Sequence, residues 1–111
     1  MNILMVCLGN ICRSPIAEGI MKKKVKDKGL DWKIDSAGTA SYHAGSIPDK
    51  RSILIAREHG IDIRDQKSRQ IRDIDFYNYD LILAMDSENY SNIVNIMPKN
   101  SKSRVELILN Y

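Results

Sequence analysis

The chain has 111 residues, 43% of them apolar and 28% charged, and its 17 basic and 14 acidic side chains leave a net charge of only +3. That is the composition of a globular domain rather than of a disordered or fibrous chain, and a nucleic-acid binder of this size would carry more, and more clustered, positive charge. Two cysteines cannot build a disulfide framework, and no apolar run approaches the length of a membrane span, which points to a reducing cytoplasmic setting without membrane or nucleic acid as partner.

Residues 2–6, Asn-Ile-Leu-Met-Val, form a continuous apolar run that suits a strand buried on both faces. A loop over 7–13 follows. Ser14-Pro15 then reads as N-cap and first residue of a helix, with Glu18 near the positive end of its dipole. Ile16, Ala17, Ile20, Met21 and Val25 recur at helical spacing until Gly29 stops the helix. Residues 32–36 predict a second strand ended by Ala37-Gly38, and 48–59 a second helix closed by Gly60. Residues 80–85 predict a third strand, 87–97 a third helix, and 104–109 a last short strand. Alternating strands and helices imply an α/β domain over 1–111, a parallel sheet with helices on both faces. The fold expected is three-layered, with four parallel strands in the order 2-1-3-4.

Ligands of open α/β sheets bind beyond the carboxyl ends of the strands, often at the first strand-to-helix turn. Here that turn is Cys7-Leu8-Gly9-Asn10-Ile11-Cys12-Arg13-Ser14. A loop of this length closing on a helix N-terminus can aim several backbone N–H groups at one anion, so residues 8–14 are expected to hold phosphate. Gly9 and Asn10 tolerate left-handed backbone angles, and Arg13 offers a planar fork that fits two phosphate oxygens. Cys7 lies at the floor of this cradle, where the amides, the helix dipole and Arg13 favour negative charge on sulfur and Ser14 can donate to it. A nucleophile beneath an anion cradle is what phosphoryl transfer through a phosphocysteine requires. A Walker A loop is excluded, because Cys-Arg-Ser stands where it would have Gly-Lys-Ser/Thr.

The stretch Val6 to Glu18, VCLGNICRSPIAE, resembles the signature of the low-molecular-weight protein tyrosine phosphatases. Similar blocks follow at Asp35-Ser36-Ala37-Gly38-Thr39, Pro48-Asp49, His59-Gly60-Ile61 and Leu83-Ala84-Met85-Asp86, so the resemblance spans the whole chain. It implies the phosphotyrosine phosphatase fold and hydrolysis of aryl phosphate monoesters, with phosphotyrosine proteins or small aryl phosphates as substrates and free phosphate as a ligand. By this resemblance Cys7 attacks phosphorus while Arg13 and the loop amides hold its oxygens. Asn10 and Ser36 brace the loop, with Asp86 also in loop support, and Tyr42 lines the pocket wall. No metal or cofactor is implied. The family protonates the leaving group with an Asp in an Asp-Pro pair beyond the last strand, before a final helix; these 111 residues hold no Asp-Pro pair. General acid help is typically worth about 10²–10⁴-fold, so the expectation is a chain short of the acid and of that last helix, slow on poor leaving groups. The sheet surface so uncovered invites dimerisation.

Other residues carry blander readings. Cys12 is either a small loop residue or a redox partner that closes a reversible disulfide with Cys7. His43 and His59 are read as structural, and Lys22, Lys23, Lys24, Lys26 and Lys28 as a solvated helix face. Asp86 at a strand end is the nearest stand-in for the acid but suits bracing better. A non-hydrolysing phosphate- or phosphotyrosine-binding module is the alternative in another class. An arsenate reductase on the same fold would need further cysteines, and residues 81–95 contain none.

Overall fold

The computed structural model describes residues 1–10, 13–40 and 44–108. Four strands, β1 (Asn2–Cys7), β2 (Lys33–Gly38), β3 (Leu81–Ala84) and β4 (Arg104–Leu107), form one parallel sheet in the order β2-β1-β3-β4, as the sequence predicts. Between them run α1 (Arg13–Asp27), α2 (Lys50–Glu58), the one-turn α3 (Asp75–Asn78) and α4 (Ser87–Ile96). No helix among the described residues is long and apolar enough to cross a membrane.

The central strand explains the layering. Successive side chains of a strand point to opposite faces, so a continuous apolar run supplies two cores at once. Ile3 and Met5 join Ile34, Leu83 and Val25 under α1, with Ala17 and Met21 packed against them. Leu4 and Val6 join Ile82 and Ala84 on the other face, beneath Phe76, Tyr79 and Ile93 from α3 and α4. Leu4, Val6, Phe76, Ile82 and Ile93 are completely buried, which makes this second face the tighter core.

Several boundaries differ from the expectation, each for a local reason. Ser14 lies inside α1 rather than capping it, because its hydroxyl is engaged by the preceding loop. Asp49 caps α2 through the amide of Arg51, so that helix starts two residues beyond Pro48; His59 ends it as read. β2 runs on to Gly38 because the chain keeps pairing with Cys7 at the end of β1. The short α3 is not foreshadowed by any periodicity; it forms because the Asp75 carboxylate accepts from the amide of Arg72. The end of the last expected strand, from residue 109, lies outside the described residues.

Candidate active site

Cys7 is the last residue of β1, and the loop that follows is propped from below by β2. The amides of Thr39 and Ala40 donate to the carbonyls of Cys7 and Leu8, each at 2.9 Å. This support requires Gly38: a Cβ there would stand 2.7 Å from the Leu8 carbonyl oxygen and 3.1 Å from the Gly9 carbonyl carbon. Both are backbone atoms that cannot step aside. Gly38 is clamped on its other side as well, donating to the Arg69 carbonyl at 2.7 Å and accepting from Ile71 at 2.8 Å.

Asn10 then turns the loop. Its φ of 57° lies in the left-handed region that Asn tolerates better than most residues. The turn directs the Asn10 amide back to the Cys7 sulfur at 3.2 Å. The Ser14 hydroxyl, on the first turn of α1, donates to Asn10 Oδ1 at 2.7 Å and lies 3.0 Å from Cys7 Sγ. Cys7, Asn10 and Ser14 are all buried, so this small network is closed to water from beneath. Cys7 carries a free thiol. Leu8 is exposed beside it and Gly9 half-buried.

Arg13 opens α1, and its Nη1 donates to Asp86 Oδ2 at 2.7 Å. Asp86 caps α4, its other oxygen accepting from the Asn89 amide at 2.8 Å. The Asn89 amide and then the Arg13 guanidinium hold the Asp86 carboxyl below the usual carboxylate range. These contacts favour the ionised carboxylate and tie it to Arg13.

Not every expected brace meets the loop. Among the described residues Ser36 does not: its hydroxyl donates to Glu18 Oε1 on α1, because Ser36 pairs with Met5 and shares the face of the sheet that α1 covers. Glu18 is buried instead of sitting at the helix dipole, and Lys22 one turn on neutralises its other oxygen. Ile11, Cys12 and Tyr42, with His43, lie outside the described residues.

A supporting layer had no local signal. The Arg69 guanidinium bonds both oxygens of buried Asp75 at 2.9 and 3.2 Å and reaches Asp35 at 3.4 Å. Burial alone would lower its pKa, but Asp75 with Asp35 outweighs it and the value is raised. Gln70 donates to the Thr39 carbonyl, and Gln66 to the Pro15 carbonyl at the start of α1. These contacts hold residues 38–40 against the loop floor.

The sequence pattern of the low molecular weight phosphotyrosine protein phosphatases matches residues 2–111. The chain belongs to this family. Its 43% identity to the Saccharomyces cerevisiae low molecular weight phosphotyrosine protein phosphatase extends over 107 residues, covering 94% of this chain and 66% of the yeast protein. A crystal structure of the Entamoeba histolytica protein tyrosine phosphatase, with Hepes in its active site, superposes with a TM-score of 0.94 at 40% identity, covering all of this chain and 72% of that one. A Drosophila arginine phosphatase superposes with a TM-score of 0.92 at 35% identity, covering 96% of this chain and 70% of the other. The chain thus spans about two thirds of the length of these relatives.

Proposed function

We propose that this chain is a protein tyrosine phosphatase that works through a phosphocysteine on Cys7. The observation that carries the reading is the Cys7 sulfur held by the Asn10 amide and the Ser14 hydroxyl, at the foot of a helix that begins with Arg13. Positive ends of amide dipoles at the start of α1, with Arg13 at its first position, suit an anionic substrate above this sulfur. Residues 8–14, Ile11 and Cys12 included, form the phosphate cradle in this reading, and Tyr42 faces the substrate ring. No cofactor is required.

The first step forms a bond from the Cys7 sulfur to phosphorus and breaks the bond from phosphorus to the aryl oxygen, which leaves with its electron pair. Arg13, anchored by Asp86, holds the equatorial oxygens with its planar guanidinium. In the second step water attacks phosphorus and the sulfur leaves as thiolate, releasing inorganic phosphate. Protonation of a poor leaving group is the work of the Asp-Pro acid in the family. Asp86 does not replace it, because it stays ionised against Arg13 and the α4 amides. Activated phenols, which leave as phenolates, need no such acid.

The second reading is a module that binds phosphotyrosine or becomes phosphorylated on Cys7 without turning over. Rapid mixing with a nitrophenyl phosphate separates the two, with Cys7→Ser in parallel. Steady turnover lost in Cys7→Ser supports the phosphatase; a single stoichiometric burst supports the trapped intermediate. No burst from folded protein overturns both catalytic readings. A parallel arm with phosphoarginine tests the substrate class of the Drosophila neighbour.

A further inference from the structure

Helix α1 presents two different sides. Met21 and Val25 face the sheet. Gly19, Lys22, Lys23 and Lys26 recur three and four residues apart on the opposite side. The turn after α2 packs closely there because Gly19 has no side chain: a Cβ would stand 2.8 Å from methyl carbons of both Ile61 and Ile63. Beside this contact lies a cleft of about 370 Å3, lined by the three lysines, Asp27 and residues 60–62. A smaller hollow of about 190 Å3 continues it across residues 60–62 to Arg57 and Arg64. Both are built from residues between 19 and 64, and Ile108 packs on the other side of α1.

Two of the five cations here are already matched. Lys22 pairs with buried Glu18, and Arg64 bonds both oxygens of Asp62 at 2.8 and 2.9 Å. Lys23, Lys26 and Arg57 are exposed, and none of them forms an ion pair among the described residues. Lys23 reaches over the turn, its ammonium 3.9 Å from where a Cβ on Gly60 would stand. Against these three cations the cleft sets one further acid, Asp27. A recess with surplus positive charge focuses its field on a narrow anionic chain that can enter it. A flat anionic bilayer is met by cations on a protruding face, and these surround a depression.

We infer that this cleft receives an acidic segment of the phosphorylated polypeptide itself, an inference that rests on the phosphatase reading of Cys7. Lys23 and Lys26 lie about 15–20 Å along α1 from Arg13 at helix rise. An extended chain, with the reach of the phosphotyrosine side chain added, covers this in roughly five to eight residues. Fluorescence anisotropy with Cys7→Ser protein tests the inference without turnover. The probes are labelled peptides with one phosphotyrosine and, at that spacing on either side, a run of Glu or the same run as Gln. The Glu peptide is expected to bind about threefold to tenfold more tightly at low salt, exposed charge pairs being individually weak, and the gap closes in high salt. Lys23→Glu with Lys26→Glu abolishes the preference. Lys24→Glu with Lys28→Glu, the same change in net charge outside the cleft, leaves it intact. The readout is a ratio within each protein, so a general loss of affinity does not imitate the effect. Equal binding of Glu and Gln peptides overturns the inference and leaves the phosphatase reading standing, whereas failure of both to bind is evidence against the reading itself and removes the inference with it. A preference that both double variants reduce equally is a net-charge effect and also overturns it. So does lysine-dependent retention of the protein on phosphatidylserine vesicles without any peptide preference.

Discussion

The guanidinium of Arg13 and the carboxylate of Asp86 meet at 2.7 Å across 73 residues of sequence. One opens the helix after β1 and the other caps the helix after β3, and the two strands are neighbours, so the sheet itself sets the distance. The pair leaves Arg13 aimed instead of wandering. Asp86→Asn keeps the cap, since Asn caps as well as Asp, but removes the charge. The pair is partly exposed and screened, so the expected loss in kcat/KM on an aryl phosphate is only about threefold to tenfold, with thermal stability little changed. Asp86→Ala loses the cap too and costs a further ~1 kcal/mol in denaturant melts. Equal activity of native protein and both variants overturns the positioning role.

Ser14 has a single hydroxyl proton and two acceptors for it. In the structure it donates to Asn10 Oδ1, with the Cys7 sulfur 3.0 Å from its oxygen. In the proposed reaction the proton turns toward the sulfur when it carries negative charge, and the same turn steadies the thiolate that leaves in the second step. Ser14→Ala is expected to slow phosphocysteine breakdown roughly tenfold or more, one charge-assisted hydrogen bond being worth about 1.5–3 kcal/mol. A nitrophenyl phosphate burst followed by a slower steady state is the signature. An unchanged steady rate removes Ser14 from this role.

Gly38 supports the loop by being small. Adding one methyl in Gly38→Ala forces the Leu8 and Gly9 backbone outward, since the inserted carbon would lie 2.7 Å from the Leu8 oxygen. Overpacking of this kind costs ~1–3 kcal/mol. Phosphate affinity is expected to fall more steeply than stability, because the displaced atoms belong to the cradle. Calorimetric titration with phosphate beside a thermal melt checks the contrast.

Tyr79 is buried with its hydroxyl donating to Asp35 at 3.1 Å and the Lys33 ammonium 5.6 Å from its ring centre. Burial, and then the negative charge of Asp35, push its pKa from 10.0 up to about 12. A folded value above the unfolded one means that the native state holds this proton more tightly. The stability it contributes is complete below pH 10.0 and is lost as pH rises through about 12. Melting temperature is expected to fall across that window, and Tyr79→Phe flattens the fall. A Tyr79→Phe profile parallel to the native one contradicts the assignment.

Much of this molecule is legible in its sequence, because the informative features are local. The run Ile3 to Val6 determined a central strand buried on both faces, since consecutive apolar side chains leave a strand no wet face. The alternation of such runs with helical periodicity determined the parallel sheet. The spacing of Cys7, Asn10, Arg13 and Ser14 determined that they meet, because one turn between a strand and a helix contains all four. Only the tertiary structure decided what holds that turn in place. Asp86 reaches Arg13, Ser36 meets Glu18, and Arg69 gathers Asp75 and Asp35 beside residues 38–40. Asp86 and Arg13 are 73 residues apart, and Ser36 and Glu18 are 18 apart. Such partners are chosen by sheet register and by which face each side chain shares, and neither leaves a mark on the residues beside it.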